Sequence, residues 1–238
     1  MKKLILLIIF ICFYSFNFHS QNEQNSNNYY KWFDSVINVS NTSLLNGINF
    51  KEEYRTIEDN NQYFLTKQFL PGNVVYDGQS YYDIPMKYDI HNNELIIRLT
   101  DEKGHYLVIQ LTKKHIENFK IDNHKFINAD QLKLDIPVFS REGFYEVLFH
   151  NSNLSLFKKH IRDKRERLGD KFSYIEFVYK SKFLIKHNNK ISNIRSKKDL
   201  IRLLPEQKKA INAFYDKNRV LRKSNYDTFL INLLKHLN

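Results

Sequence analysis

Residues 74–90 read VVYDGQSYYDIPMKYDI, and this stretch decides the fold. Val74, Val75 and Tyr76 favour a pleated, half-buried surface, and so does the run Ser80–Ile90. Asp77-Gly78 stands between them. A two-residue type I′ turn needs positive φ at both central positions, which Asp tolerates and Gly adopts freely, so the pattern predicts a tight antiparallel hairpin. In the second run Tyr82, Ile84, Met86, Tyr88 and Ile90 alternate with Tyr81, Asp83, Pro85, Lys87 and Asp89. That period of two belongs to a strand with one buried and one wet face. Pro85 has no N–H to donate, which leaves the strand a free side at that point.

The pattern continues in both directions. His91-Asn92-Asn93 predicts a turn into a strand over Glu94–Thr100, and Lys103-Gly104 a turn into Tyr106–Leu111. Further strands are expected at Asn118–Asp122, Phe144–Phe149, Leu154–Ile161, Ser173–Tyr179 and Phe183–Lys186, with turns at Asn151-Ser152-Asn153, Gly169-Asp170 and His187-Asn188-Asn189. Strands follow strands without intervening helices, so the expected body is an antiparallel meander over 44–192, as a curled sheet or a sandwich.

The last segment changes period. Ser196-Lys197-Lys198-Asp199 resembles a capping box and precedes Leu200, Ile201, Leu203 and Leu204. Pro205-Glu206 opens a second helix, with Ala210, Ile211 and Phe214 facing inward. Ser224-Asn225-Tyr226-Asp227 caps a third, whose Phe229, Leu230, Leu233, Leu234 and Leu237 form one stripe. The fold class is therefore α+β, an antiparallel β body followed by a basic helical tail over 193–238. Those apolar stripes must dock on the sheet, on each other or on a partner.

At the other end, Lys2-Lys3 precede the unbroken apolar run Leu4–Tyr14, and Phe18-His19-Ser20 offers a small residue before Gln21. This is the layout of a signal peptide over 1–20. The run is shorter than the roughly 20 apolar residues a spanning helix needs, so a membrane anchor is the weaker reading. Cys12 offers lipid attachment as an alternative, but bulky Ile11 precedes it where a small residue is wanted. Residues 21–43 then comprise a polar Asn/Gln-rich leader and a short amphipathic helix, Tyr29–Val39, carrying Trp32, Phe33, Val36 and Ile37. Cys12 is the single cysteine, so a mature chain has no disulfide, no thiol nucleophile and no thiolate zinc ligand.

Charge is unevenly spread. Residues 21–157 carry 13 basic and 18 acidic side chains, and residues 158–223 carry 21 and 7. A basic face attracts polyanions. For an exported chain these are lipopolysaccharide, acidic glycans, lipid headgroups and acidic protein faces rather than nucleic acid. A solvated lysine-rich surface is the plain alternative. Lys158, Lys159, Arg162, Lys164, Arg165 and Arg167 fall within one short span and are the candidate contacts for a polyanion or partner. Such a run is also found at solvated hairpin tips.

The segments Leu45-Asn46-Gly47-Ile48, Glu53-Tyr54-Arg55-Thr56, Gly72–Gln79, Met86–Ile90, Gly143–Leu148 and Ser196–Leu200 together resemble a family of uncharacterised exported proteins of Bacteroidota-type Gram-negative bacteria. The resemblance covers most of the chain from Leu45 onward. It implies export and one shared β-then-α architecture, and it brings no catalytic residue with it.

Catalytic motifs are not visible. His115 and His124 lie near Glu117 and Asp122, but no histidine pair has the i, i+4 spacing of a helical zinc site. There is no Gly-x-Ser-x-Gly elbow and no glycine-rich phosphate loop. The expectation is a non-enzymatic envelope module without cofactor, periplasmic, outer-membrane-associated or secreted, that binds an envelope protein or an anionic surface. An exported hydrolase with an unrecognised site, or a glycan or lipopolysaccharide binder, is the alternative. After signal cleavage no transmembrane span is expected.

Overall fold

The computed structural model describes residues 42–57, 59–101, 103–132, 142–169, 172–188 and 190–237. All belong to the compact unit Asn38–Asn238. The expected signal peptide over 1–20, the polar leader and the helix expected at Tyr29–Val39 lie outside the described residues.

Eleven strands form one antiparallel sheet: β1 (Ile48–Asn49), β2 (Leu70–Tyr76), β3 (Gln79–Asp89), β4 (Glu94–Thr100), β5 (Tyr106–Gln110), β6 (Ile116–Ile121), β7 (His124–Asn128), β8 (Phe144–His150), β9 (Leu154–Leu168), β10 (Ser173–His187) and β11 (Lys190–Ile194). Among the described residues four α-helices follow, α1 (Lys197–Leu203), α2 (Lys208–Lys217), α3 (Arg219–Ser224) and α4 (Tyr226–His236), with a 3-10 turn, Pro205–Gln207, leading into α2. The α+β class read from the sequence is the observed one, as a single curled sheet rather than a sandwich. The spatial order is β1-β5-β4-β3-β2-β6-β7-β8-β9-β10-β11. The meander is thus broken twice: β1 lies beside β5 rather than β2, and after β5 the chain returns to set β6 beside β2 and then runs on the other way.

Curvature follows from ring contacts. Tyr88 on β3 lies 5.2 Å from Phe126 on β7 and 5.7 Å from Phe144 on β8, centroid to centroid. In a flat sheet β3 and β7, three spacings apart, would be about 14 Å from each other. The sheet therefore wraps around a core that runs from Val74 and Tyr76 through Met86, Leu95 and Ile97 to Phe119 and Phe144. A second cluster on the same face joins Leu156 of β9 and Ile185 of β10 to Leu200, Ile211, Phe229, Leu230, Leu233 and Leu234 of the tail. A third, on the reverse face, gathers Tyr145, Phe157, Leu184 and Ile191. The tail helices thus pack on the sheet, and their caps are made as the sequence implies. The Ser196 hydroxyl accepts from the Asp199 N–H and donates to its carboxylate, while the Asn225 side chain accepts from the Thr228 N–H. Ser224, read as part of that second cap, instead ends α3.

Two readings of the strands are corrected. Asp77 and Gly78 do form the tight turn, with φ of 51° and 78°. Asp83, however, also has positive φ (54°), and the β2–β3 register shifts between Gly72 and Val74. This bulge reverses the alternation, so Tyr81 is buried together with Met86 and Tyr88, where an uninterrupted period would have turned it outward. The second face is not wet either: Lys87 and Asp89 are buried. The second correction concerns β9 and β10. They pair continuously over fifteen residues each, from Leu154–His187 to Leu168–Ser173. Lys158–Arg167 therefore run along a strand: Lys158, Lys159 and Arg162 lie in its body, while Lys164, Arg165 and Arg167 are exposed toward the end of the ribbon at Leu168–Ser173, as at a solvated hairpin tip. Pro85 does have the expected free side, because β4 pairs with β3 only from Met86 to Asp89.

The segment between β1 and β2 covers that second face and acts as a strap. The Phe50 N–H donates to Val108 O of β5. Thr56 bridges Ile175 of β10, and the Asn60 amide both donates to Phe177 O (3.0 Å) and accepts from Phe177 N–H (2.6 Å). Tyr63 then bridges Asp89 at the end of β3. Beneath it, the Lys87 ammonium donates to the Tyr63 hydroxyl at 2.9 Å and to Glu52 Oε2 at 3.2 Å, over the Tyr63 and Phe50 rings. A buried lysine is tolerable only with such partners.

Candidate functional site: a polar cavity between the sheet and the last helix

Register decides which side chains meet. Period two puts Leu154, Leu156, Lys158, His160 and Arg162 on one face of β9. Leu154 and Leu156 enter the apolar cluster under the helices. The next three are polar and fall between that cluster and the aromatic core. Glu146 of β8 sits opposite Lys158, and Tyr179 of β10 opposite Arg162. His124 comes from the start of β7, and Asp227 from the first turn of α4. Phe64 of the strap packs edge-on against His124 and His160 at 5.0 and 4.9 Å. The open cavity they line has a volume of about 520 Å³.

The buried Glu146 carboxylate is the hub. His124 Nδ1 donates to Oε1, and His160 Nε2 donates to Oε2 at 2.8 Å. That leaves His160 Nδ1 to accept from the Tyr179 hydroxyl, also at 2.8 Å. Burial pushes the Glu146 carboxyl up, but the hydrogen bonds and charges of the two histidines outweigh it and hold the group below its ordinary range. Burial also pulls the His160 imidazole down, more than Glu146 raises it. The consistent state at neutral pH is an ionised Glu146 beside a neutral His160. Burial pushes Tyr179 up despite nearby Lys158, so the phenol keeps its proton. Lys158 is opposed by burial, yet its bond to Asp227 and its contact with Tyr179 hold its proton more tightly than usual.

Both acids of the cavity are thereby answered, Glu146 by two histidines and Asp227 by Lys158. Arg162 is not. Its Nε is buried with no hydrogen-bond partner, and no acid pairs with its guanidinium among the described residues. The guanidinium lies 5.7 Å over the Tyr179 ring. Burial lowers its proton affinity, with Tyr179 opposing, but a guanidinium remains charged at neutral pH in any protein setting. The cavity therefore presents one cation with no acid hydrogen-bonded to it, flanked by a phenol.

The six basic residues expected to act together are divided by the pleat. Lys158 and Arg162 line the cavity. Lys159 points the other way, donating to Glu142 O and lying 5.3 Å over Tyr145. Lys164 lies 4.9 Å over Tyr54, Arg165 stands opposite Glu176, and Arg167 donates to Glu176 at 2.7 and 2.8 Å. His115 and His124, set near Glu117 and Asp122 in the sequence reading, take other and different acids, Asp77 and Glu146. Among the described residues no cluster of His, Cys, Asp and Glu is arranged to hold a metal ion, and no helix is long and apolar enough to cross a membrane. Sequence reasoning missed Glu146, His160, Tyr179 and Asp227. Only His160, set between Lys158 and Arg162 at strand spacing, carried a usable signal.

Compared with family models, with curated proteins and with solved structures, the chain matches none.

Proposed function

We propose that this chain is a non-enzymatic, exported module of the bacterial envelope that binds a partner by receiving an acidic group in the cavity beside Arg162. The observation that carries this reading is the unpaired, half-buried Arg162 guanidinium in a cavity whose own carboxylates already have hydrogen-bond partners, Glu146 in two histidines and Asp227 in Lys158. A half-buried guanidinium with a buried, unpaired N–H is costly to maintain, and a carboxylate from a partner would satisfy it with two parallel N–H···O bonds. Export enters from the signal-peptide layout of residues 1–20.

One observation favours a second reading, an exported hydrolase: Tyr179, His160 and Glu146 line up as hydroxyl, imidazole and carboxylate, the order used to activate a nucleophile. Burial works against it, because Tyr179 is pushed up and keeps its proton.

The test compares residues 21–238 with the Arg162→Gln variant in pull-downs from gently solubilised envelope, at low and high salt. The expected result is one envelope protein in near-equal amount with wild type, surviving high salt and reduced tenfold or more with Arg162→Gln. Equal recovery by the two proteins, or no specific partner, would sink the proposal. Turnover of ester or glycoside substrates that depends on Tyr179 would establish the hydrolase.

A further inference from the structure

A second concave surface lies in the tail, away from Arg162. Lys197 at the start of α1, Tyr215 of α2 and Arg219, Arg222 and Lys223 of α3 line a cavity of about 420 Å³. Its only acid is Asp216, already paired with Arg219 at 3.2 Å. Lys197, Arg222 and Lys223 have no carboxylate partner among the described residues. Two of these cations share one ring: the Lys197 ammonium lies 5.6 Å and the Arg222 guanidinium 5.3 Å from the Tyr215 centroid. Ring contact offsets some of the repulsion between them, but only an anion removes it.

We infer that this cavity is a phosphate-binding site, in which Lys197, Arg222 and Lys223 surround the oxyanion over the Tyr215 ring. Phosphate fits because it offers several acceptor oxygens to cations arriving from different helices, where a carboxylate offers two in one plane. Tyr215 is buried, hydroxyl included, so what it brings to the site is the ring that the two cations share. The phosphate group has two sources, the free ion or a lipid headgroup. Val220, 83% exposed on α3 beside the cations, is placed to touch an acyl surface in the second case.

Residues 21–238 are titrated calorimetrically with inorganic phosphate and, separately, floated with phosphatidylglycerol-containing vesicles. The variants are Lys197→Gln/Arg222→Gln, and Lys208→Gln/Lys209→Gln as a control that removes two exposed charges of α2 outside the cavity. Melting temperature confirms that each variant folds. Phosphate binding lost tenfold or more in the cavity variant and kept in the control supports the site for free phosphate. Vesicle binding with the same dependence, without binding of the free ion, supports it for a headgroup. If neither probe binds, or if the control loses as much as the cavity variant, the inference is overturned. In the latter case the attraction belongs to the whole basic surface.

Discussion

Glu146 and His160 make the cavity sensitive to acid. The His160 imidazole is held below its ordinary value of 6.5, so the unfolded chain takes up a proton there before the folded one does. Its contribution to stability is therefore intact above about pH 6.5 and declines as pH falls below it. Glu146 is held below its ordinary 4.5; its contribution is present above that value and is lost as pH falls further, toward the folded-state value. Both act in the same direction. The urea midpoint should fall between about pH 7 and pH 5, and His160→Gln should flatten that part of the curve while leaving the drop at lower pH. A midpoint independent of pH across the first window would contradict the assignment of a neutral, buried His160. None of this was legible before the register was known. Glu146 and Lys158 are neighbours because β8 and β9 pair with one shift between Val147 and Phe149, and no local pattern announces such a pairing. Lys158 and Arg162 were singled out for their charge alone. It was the pleat, sending Lys159 to the opposite face, that separated cavity residues from surface ones.

The strap is the element most open to test. Asn60 replaces a strand partner with a side chain, giving the Phe177 backbone both a donor and an acceptor. Asn60→Ala should cost about 1–3 kcal/mol, the penalty for two backbone groups left without partners. Amide exchange at Ile175 and Phe177 should quicken, because the Ile175 N–H is also held by the strap, through Arg55 O. Exchange at Phe183–His187, where β11 supplies the pairing, should be unchanged. Uniform loss of protection along β10 would mean that the strap is not a separable element. Elements of this kind escape sequence reasoning because their bonds are irregular: Thr56, Asn60 and Tyr63 show no period. Regular ones were readable. β3, β4 and β5 were visible from alternation and turn chemistry, and the tail helices from caps and stripes. β7 (HKFIN) was too short and mixed to register. β9 was cut short because charged residues over 162–168 resemble a loop, and β10 was split into Ser173–Tyr179 and Phe183–Lys186 at Lys180-Ser181-Lys182, whereas a long ribbon tolerates such residues on exposed faces.

For the whole molecule, the separation of charge has a structural counterpart. The acidic part of the sequence builds the aromatic core, and the basic part builds β9, β10 and the tail, where both proposed anion sites lie. Under the proposed export, the intact mass of the protein recovered from the envelope should correspond to a chain starting at Gln21. A mass retaining Met1, or one carrying lipid on Cys12, would refute the cleavage site read from Phe18-His19-Ser20.

The strap also sets an order of events in time. Asn60 and Phe177 are 117 residues apart in sequence, and contacts of such separation form late because the intervening chain must first be organised. The β2–β5 hairpins can assemble from the chain's first half alone. The closing bonds cannot, since their acceptor and donor on Phe177 arrive with the last third. A chain emerging N-terminus first is thus kept from closing its strap until β10 has been delivered; under the proposed export, that would keep translocation and final closure from competing.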